Sequence, residues 1–155
     1  MSSDGPAIAL GLAAFIGLSM YFFGGNQNAP KRQNYEEKSQ QGKQYISLKD
    51  DTFQLSDPFD FEKFNLDSNI PTVIFAKASW CSHCTRATPE VKKLFDELNI
   101  NVIDADESNK EAHKFLNIKG FPTLYKVTKD GHIQPFKSAG FGPETIGSIK
   151  KFAET

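Results

Sequence analysis

Only two cysteines occur in the 155 residues, and they sit one helical turn apart as Cys81 and Cys84 in the run Ser79-Trp80-Cys81-Ser82-His83-Cys84-Thr85. Two thiols this close can interconvert between dithiol and disulfide, one sulfur attacking and the other resolving. The elements around them decide which does which. Upstream, Pro71-Thr72-Val73-Ile74-Phe75-Ala76 is rich in β-branched and aromatic residues, as a buried strand is. Downstream, Val91, Leu94, Phe95 and Leu98 recur at helical spacing within 88–98. Cys81 therefore falls at a strand-to-helix junction, where unpaired backbone N–H groups favour a thiolate over a thiol. Cys84, one turn further in, should be more sheltered. Cys81 is expected to attack and Cys84 to resolve.

Two plainer readings compete. A C-x-x-C pair can be half of a zinc site, but closing four ligands needs two more Cys or His, and the chain offers only His83, His113 and His132. His113, on an amphipathic helix, and His132, in a hairpin, read as solvated side chains. A static structural bridge is the other reading, yet so short a loop constrains the unfolded chain little. No metal and no cofactor is expected.

Composition bounds the rest. With 39% hydrophobic and 24% charged residues and a net charge of −1, the chain has the make-up of an ordinary folded domain with an addition at its N-terminus. From Gln44 onward there are 14 Lys+Arg against 16 Asp+Glu and no basic stripe, so nucleic acid is not an expected partner.

After a short tail, 1–6, residues 7–23 form an uncharged apolar run that would span about 26 Å as a helix, just long enough to cross a membrane. A cleaved signal peptide would need a basic leader and a small-residue cleavage site; residues 1–6 hold no Lys or Arg, and no A-x-A site follows. A retained single-pass anchor is expected, with Tyr21, Phe22 and Phe23 at the interface. A buried helix of the folded domain is the alternative, disfavoured by the lack of a polar face. Residues 24–43 are polar and rich in Gln and Asn, and read as a flexible tether.

The folded domain is expected over 44–155, in the order βαβαβαββα. Strands are read at 45–48, 71–76, 101–104, 123–127 and 132–136. Helices are read at 59–64 behind Ser56-Asp57-Pro58, over the redox segment, at 109–116, and after Gly142-Pro143. Asp130-Gly131 supplies a hairpin turn.

Trp80-Cys81-Ser82-His83-Cys84 resembles the W-C-x-x-C site of the thioredoxin superfamily, and Asn117-Ile118-Lys119-Gly120-Phe121-Pro122-Thr123-Leu124 is similar to the segment that holds the family's cis-proline. Pro89, five residues after Cys84, matches the proline that kinks the family's redox helix. The resemblance covers roughly 44–155. It implies an α/β thioredoxin fold with a central mixed sheet flanked by helices. It also implies a cis Phe121–Pro122 bond, with the Phe121 backbone beside Cys81 where an extended substrate would pair, so that Phe121 and Pro122 bind substrate. His83 at the end of the dipeptide is more similar to protein disulfide isomerase domains and periplasmic oxidases than to thioredoxin. Trp80, Ser82 and His83 are expected to modulate the cysteines, an imidazole at the helix start being able to pair with a Cys81 thiolate.

One departure is Phe75, six residues before Cys81, where the family usually buries an Asp or Glu that exchanges protons with the inner cysteine. Lys77, where an aromatic is common, is a second; it reads as a solvated strand-end residue.

Two functions follow. The first is a membrane-anchored thiol-disulfide oxidoreductase acting on protein thiols and disulfides with an unidentified redox partner, as oxidant or isomerase rather than reductase. The alternative is a thioredoxin-fold binding or structural module without turnover, at a membrane or virion. Lys31 and Arg32 after the anchor favour a cytoplasmic domain, while His83 points to an oxidising compartment, so the side of the membrane stays open.

Overall fold

A computed structural model describes residues 38–40, 42–49, 54–137 and 140–155. The expected anchor, 7–23, and most of the expected tether, 24–43, lie outside them. Among the described residues no helix is long and apolar enough to cross a membrane.

The sheet is built outward from its two most apolar strands. In β3 (Thr72–Lys77) and β4 (Asn101–Asp106) every residue but the last is buried, as strands covered on both faces require. They run parallel, and β2 (Lys43–Leu48) adds parallel to β4, with β1 (Lys38–Gln40) antiparallel at that edge. On the other side β5 (Thr123–Val127) runs antiparallel to β3, and β6 (Ile133–Pro135) closes the hairpin. The six-stranded order is β1-β2-β4-β3-β5-β6. Alternation along the strands sends Tyr45, Val73, Phe75 and Val102 to one face, packed against α1 (Ser82–Glu97) and α3 (Pro143–Ala153) through Val91, Phe95 and Ile149. Ile46, Leu48, Ile74 and Ile103 fill the other face, under α2 (Lys110–Phe115) and the segment 54–66.

The expected mixed sheet, the redox helix and the last helix after Gly142-Pro143 are all present. The helix expected at 59–64 is not: residues 61–65 form turns, and Asn65 takes a φ of 53°. Tertiary burial explains the difference. Leu55, Phe59, Phe64 and Leu66 all enter the core, Phe59 stacking on Phe64 at 4.9 Å, and the Phe59 N–H donates to Gly131 O at 2.7 Å rather than to a helical partner. Gly131 must be glycine there: its φ is +87°, and a Cβ would meet Phe59 N at 2.8 Å. The Asp57–Pro58 bond is cis.

The boundary of the sheet also falls earlier than residue 44. Residues 38–40 and 43 lie in strands, so the end of the expected tether belongs to the domain. Lys43 is buried, and its Nζ donates to Phe95 O, to Asp96 O (3.2 Å) and to Leu98 O (2.8 Å) while lying 4.9 Å from the Phe95 ring centre. It closes the C-terminal end of α1, whose last turn holds no basic residue of its own.

Candidate active site

Cys81 is the N-cap of α1, with an extended backbone (φ −86°, ψ 112°). Its Sγ accepts from Cys84 N–H at 3.3 Å and donates to Phe121 O at 3.6 Å. Both sulfurs are thiols, and with Ala78 and Phe121 they form a small cluster where β3 ends. The loop that delivers them is held by Glu107, which accepts from Ser79 Oγ and from Ser79 N at 3.2 Å. Exposure differs modestly, 7% for Cys81 and 2% for Cys84.

Their electrostatics differ more. The Cys84 thiol bonded to Cys81 lowers the Cys81 pKa; burial opposes this, and the backbone N–H groups of Cys84 and His83 lower it further. Burial pushes Cys84 up to about 12, helped by the bond to Cys81 and by its charge; a backbone hydrogen bond at Ala78 and the charge of Lys77 pull the other way. Of the two sulfurs Cys81 is therefore the readier to ionise.

The other expected residues gather around this pair. Trp80 is 73% exposed, its ring edge-on to Phe121 at 5.6 Å. The Phe121–Pro122 bond is cis. Beside it opens a cleft of about 570 Å³ lined by His83, Arg86, Phe121, Pro122, Phe141 and Ile146 among others. Ser82 and His83 lie exposed on the first turn. The His83 Nδ1 lies 3.0 Å from Arg86, and a guanidinium can only donate, so that nitrogen is an acceptor. The main-chain N–H of His83 favours the Cys81 thiolate.

Two residues read as solvated are not. His113 Nε2 lies 3.1 Å from Ala105 O, and its ring sits 5.2 Å from Phe121, backing the residue that touches Cys81. Lys77, with a side chain only 23% exposed, places Nζ 2.8 Å from Asp104 Oδ2. His132 is exposed as expected, 3.4 Å from Asp57.

Asp104 is the residue that sequence reasoning missed. Phe75 is fully buried, and its register partner on β4 is Asp104, so a carboxylate lies on the same face one strand sideways from where the family resemblance leads one to seek it. Oδ2 accepts from Tyr45 at 3.0 Å and pairs with Lys77; Oδ1 is buried without a partner among the described residues. Burial raises the Asp104 pKa, and its bonds to Lys77 and Tyr45 only partly offset this. A signal existed: in Val102-Ile103-Asp104 the acid shares the parity of buried Val102, and Lys77 that of Phe75.

Known proteins share this fold. The thioredoxin family model matches residues 52–154, and the chain belongs to the thioredoxin family. It is 34% identical over 82 residues to protein disulfide-isomerase A6 of Mesocricetus auratus, a match covering 50% of this chain and 18% of that protein. Sulfhydryl oxidase 1 of Mus musculus is 32% identical over 113 residues, covering 61% of this chain and 15% of the relative. The chain thus spans less than a fifth of either relative's length. The first thioredoxin domain of mouse protein disulfide-isomerase A4 shares the fold, with a TM-score of 0.55 at 21% identity over 83% of this chain and 88% of that one.

Proposed function

We propose that the chain is a thiol-disulfide oxidoreductase acting on protein substrates, tethered to a membrane by residues 7–23 and working as an oxidant or isomerase rather than a reductase. The observation that carries this is the unequal ionisation of two adjacent sulfurs, Cys81 below an ordinary thiol and Cys84 raised to about 12. In the reducing direction the Cys81 thiolate attacks a substrate disulfide and expels one substrate thiolate, which takes up a proton. Cys84 then gives up its proton, bonds to Cys81 and releases the second substrate sulfur, leaving the chain oxidised by two electrons. The oxidising direction is the reverse. The cleft beside Phe121 and Pro122 suits an extended apolar segment flanking the reacting sulfur. A module without turnover has no need of such unequal sulfurs.

The oxidant assignment rests on the donors around Cys81. Stabilising its thiolate stabilises the reduced form and raises the potential, toward the isomerase range of about −180 mV and away from about −270 mV for thioredoxin. The membrane assignment rests on the uncharged apolar run 7–23; protease protection in sealed vesicles assigns the side.

Trapping tests the roles. Cys84→Ser should accumulate a mixed disulfide through Cys81, and Cys81→Ser should be inert. A mixed disulfide formed through Cys84 in the converse variant would overturn the assignment.

A further inference from the structure

Resolution of the mixed disulfide is the hard step for this site, because Cys84 must ionise in a place that resists it. Among the described residues the groups that could help are few. Around Cys84 stand Cys81 at the start of the same helix and Lys77 at the end of β3. Behind Lys77 on β4 stands Asp104, which itself faces Tyr45 of β2 and feels Asp106 of its own strand. Lys77, Phe75 and Asp104 share the sheet face that α1 covers: Phe75 pairs with Asp104 and Lys77 with Asp106, which makes Lys77 and Asp104 diagonal neighbours.

This arrangement has a cost that packing alone does not justify. Asp104 is 3% exposed in its side chain, and one of its oxygens has no donor among the described residues. A half-satisfied buried carboxylate is unfavourable, and an apolar pair of similar volume would hold the sheet as well or better. What Asp104 achieves is to draw the Lys77 ammonium back over the covered face, where its charge reaches Cys84, instead of letting a long side chain at a strand end swing into water.

We propose that Lys77, held by Asp104, is a positioning cation for the resolving cysteine: its ammonium stabilises the Cys84 thiolate as that sulfur displaces substrate from Cys81. The proposal rests on the oxidoreductase reading above. In the step concerned the Cys84 S–H proton leaves, the Cys84–Cys81 S–S bond forms, the Cys81–substrate S–S bond breaks, and the departing substrate sulfur takes up one proton. No further oxidant or reductant enters. The charge order is the inverse of a buried acid on the redox strand: here the cation stands on β3 and the acid on the neighbouring strand.

The test loads Cys81 with thionitrobenzoate and follows the coloured thiolate released when Cys84 closes the disulfide, from pH 6 to 10. Lys77→Met should slow release about tenfold at pH 8 and move the profile up by about one pH unit, since release tracks the Cys84 thiolate. Lys77→Arg, which keeps the charge, should restore most of the rate. Asp104→Asn should slow release less, and the Lys77→Met/Asp104→Asn double variant should match Lys77→Met alone, because Asp104 acts only through Lys77. The double variant leaves no unpaired buried charge, so it keeps the test sound if the single Lys77 variant does not fold. Alkylation of Cys81 in a Cys84→Ser background should stay within about twofold throughout. An unchanged profile in Lys77→Met or in the double variant, or a Lys77→Arg rate as slow as Lys77→Met, overturns the proposal. An unmodified chain that never releases the thiolate overturns the oxidoreductase reading instead.

Discussion

Helix α1 has a buried charge near each end, and the two are treated in opposite ways. At the C-terminal end Lys43 is fully used: three carbonyls accept from it and the Phe95 ring lies under it. Near the N-terminal end Asp104 is only half used, with one oxygen paired and the other without a partner among the described residues. The first arrangement stabilises the helix by closing orphan carbonyls against the negative end of its dipole. The second carries a desolvation cost that its partners do not cancel, which is why its pKa is raised. The closed end of the helix is built for stability; the open end gives up stability for ionisable groups beside the sulfurs.

The largest expected effect lies at the open end. At pH 8 a thiol with a pKa of about 12 is ionised in about one molecule in 10⁴, whereas Cys81 lies below an ordinary thiol. Intrinsic nucleophilicity rises with pKa and returns part of the difference, so iodoacetamide should label Cys81 about a hundredfold faster than Cys84. Equal labelling, read by peptide mapping, would erase the contrast between the sulfurs. At the closed end, Lys43→Met leaves three carbonyls without their charged donor and should cost about 2 kcal/mol in urea unfolding, with Cys81 labelling unchanged. A neutral outcome would mean that the last turn of α1 finds other donors.

A smaller effect separates main chain from side chain at His83. His83→Pro removes the N–H that faces Cys81, while the first helical turn tolerates proline sterically. Equilibration with glutathione should show a potential lower by about 30 mV, equivalent to about 1.4 kcal/mol. His83→Ala keeps the N–H and should stay close to the unmodified chain. A fall in both variants would return the effect to the imidazole, and a starting potential at or below that of thioredoxin would make the chain a reductase.

The smallest effect is at Asp104. Its folded pKa lies above the unfolded value, so the folded state favours the protonated carboxyl; this contribution is complete below the ordinary carboxylate pKa and fades as pH rises through the folded titration. Asp104→Asn should match the unmodified chain in melting temperature at pH 3 to 4 and exceed it at pH 7. A variant that melts lower at pH 7 would show that the Lys77 pair outweighs desolvation.

The sequence makes the redox junction legible because each signal there is local: β-branched residues, then two thiols, then helical periodicity. The 59–64 segment was not, since Pro58 and the residues after it satisfy helix-start rules while the distant Gly131 carbonyl and a shared aromatic core decide the outcome. Asp104 and Lys77 were hidden for a related reason. Their pairing depends on β3 and β4 lying in register, a contact between positions 27 apart that no periodicity reports. Lys43 is the same case at longer range, a polar residue at the end of a polar stretch that becomes a helix cap only when β2 passes beneath α1.

Trp80 gives the couple a consequence of another kind. It is the sole tryptophan of the chain, next to Cys81 in sequence, 73% exposed and with its indole edge-on to the Phe121 ring. A disulfide beside an excited indole accepts an electron and darkens it, whereas a dithiol does so far less. Emission excited at the indole band should therefore brighten on reduction, free of interference from any second tryptophan, and a steady-state fluorescence titration with dithiothreitol checks it.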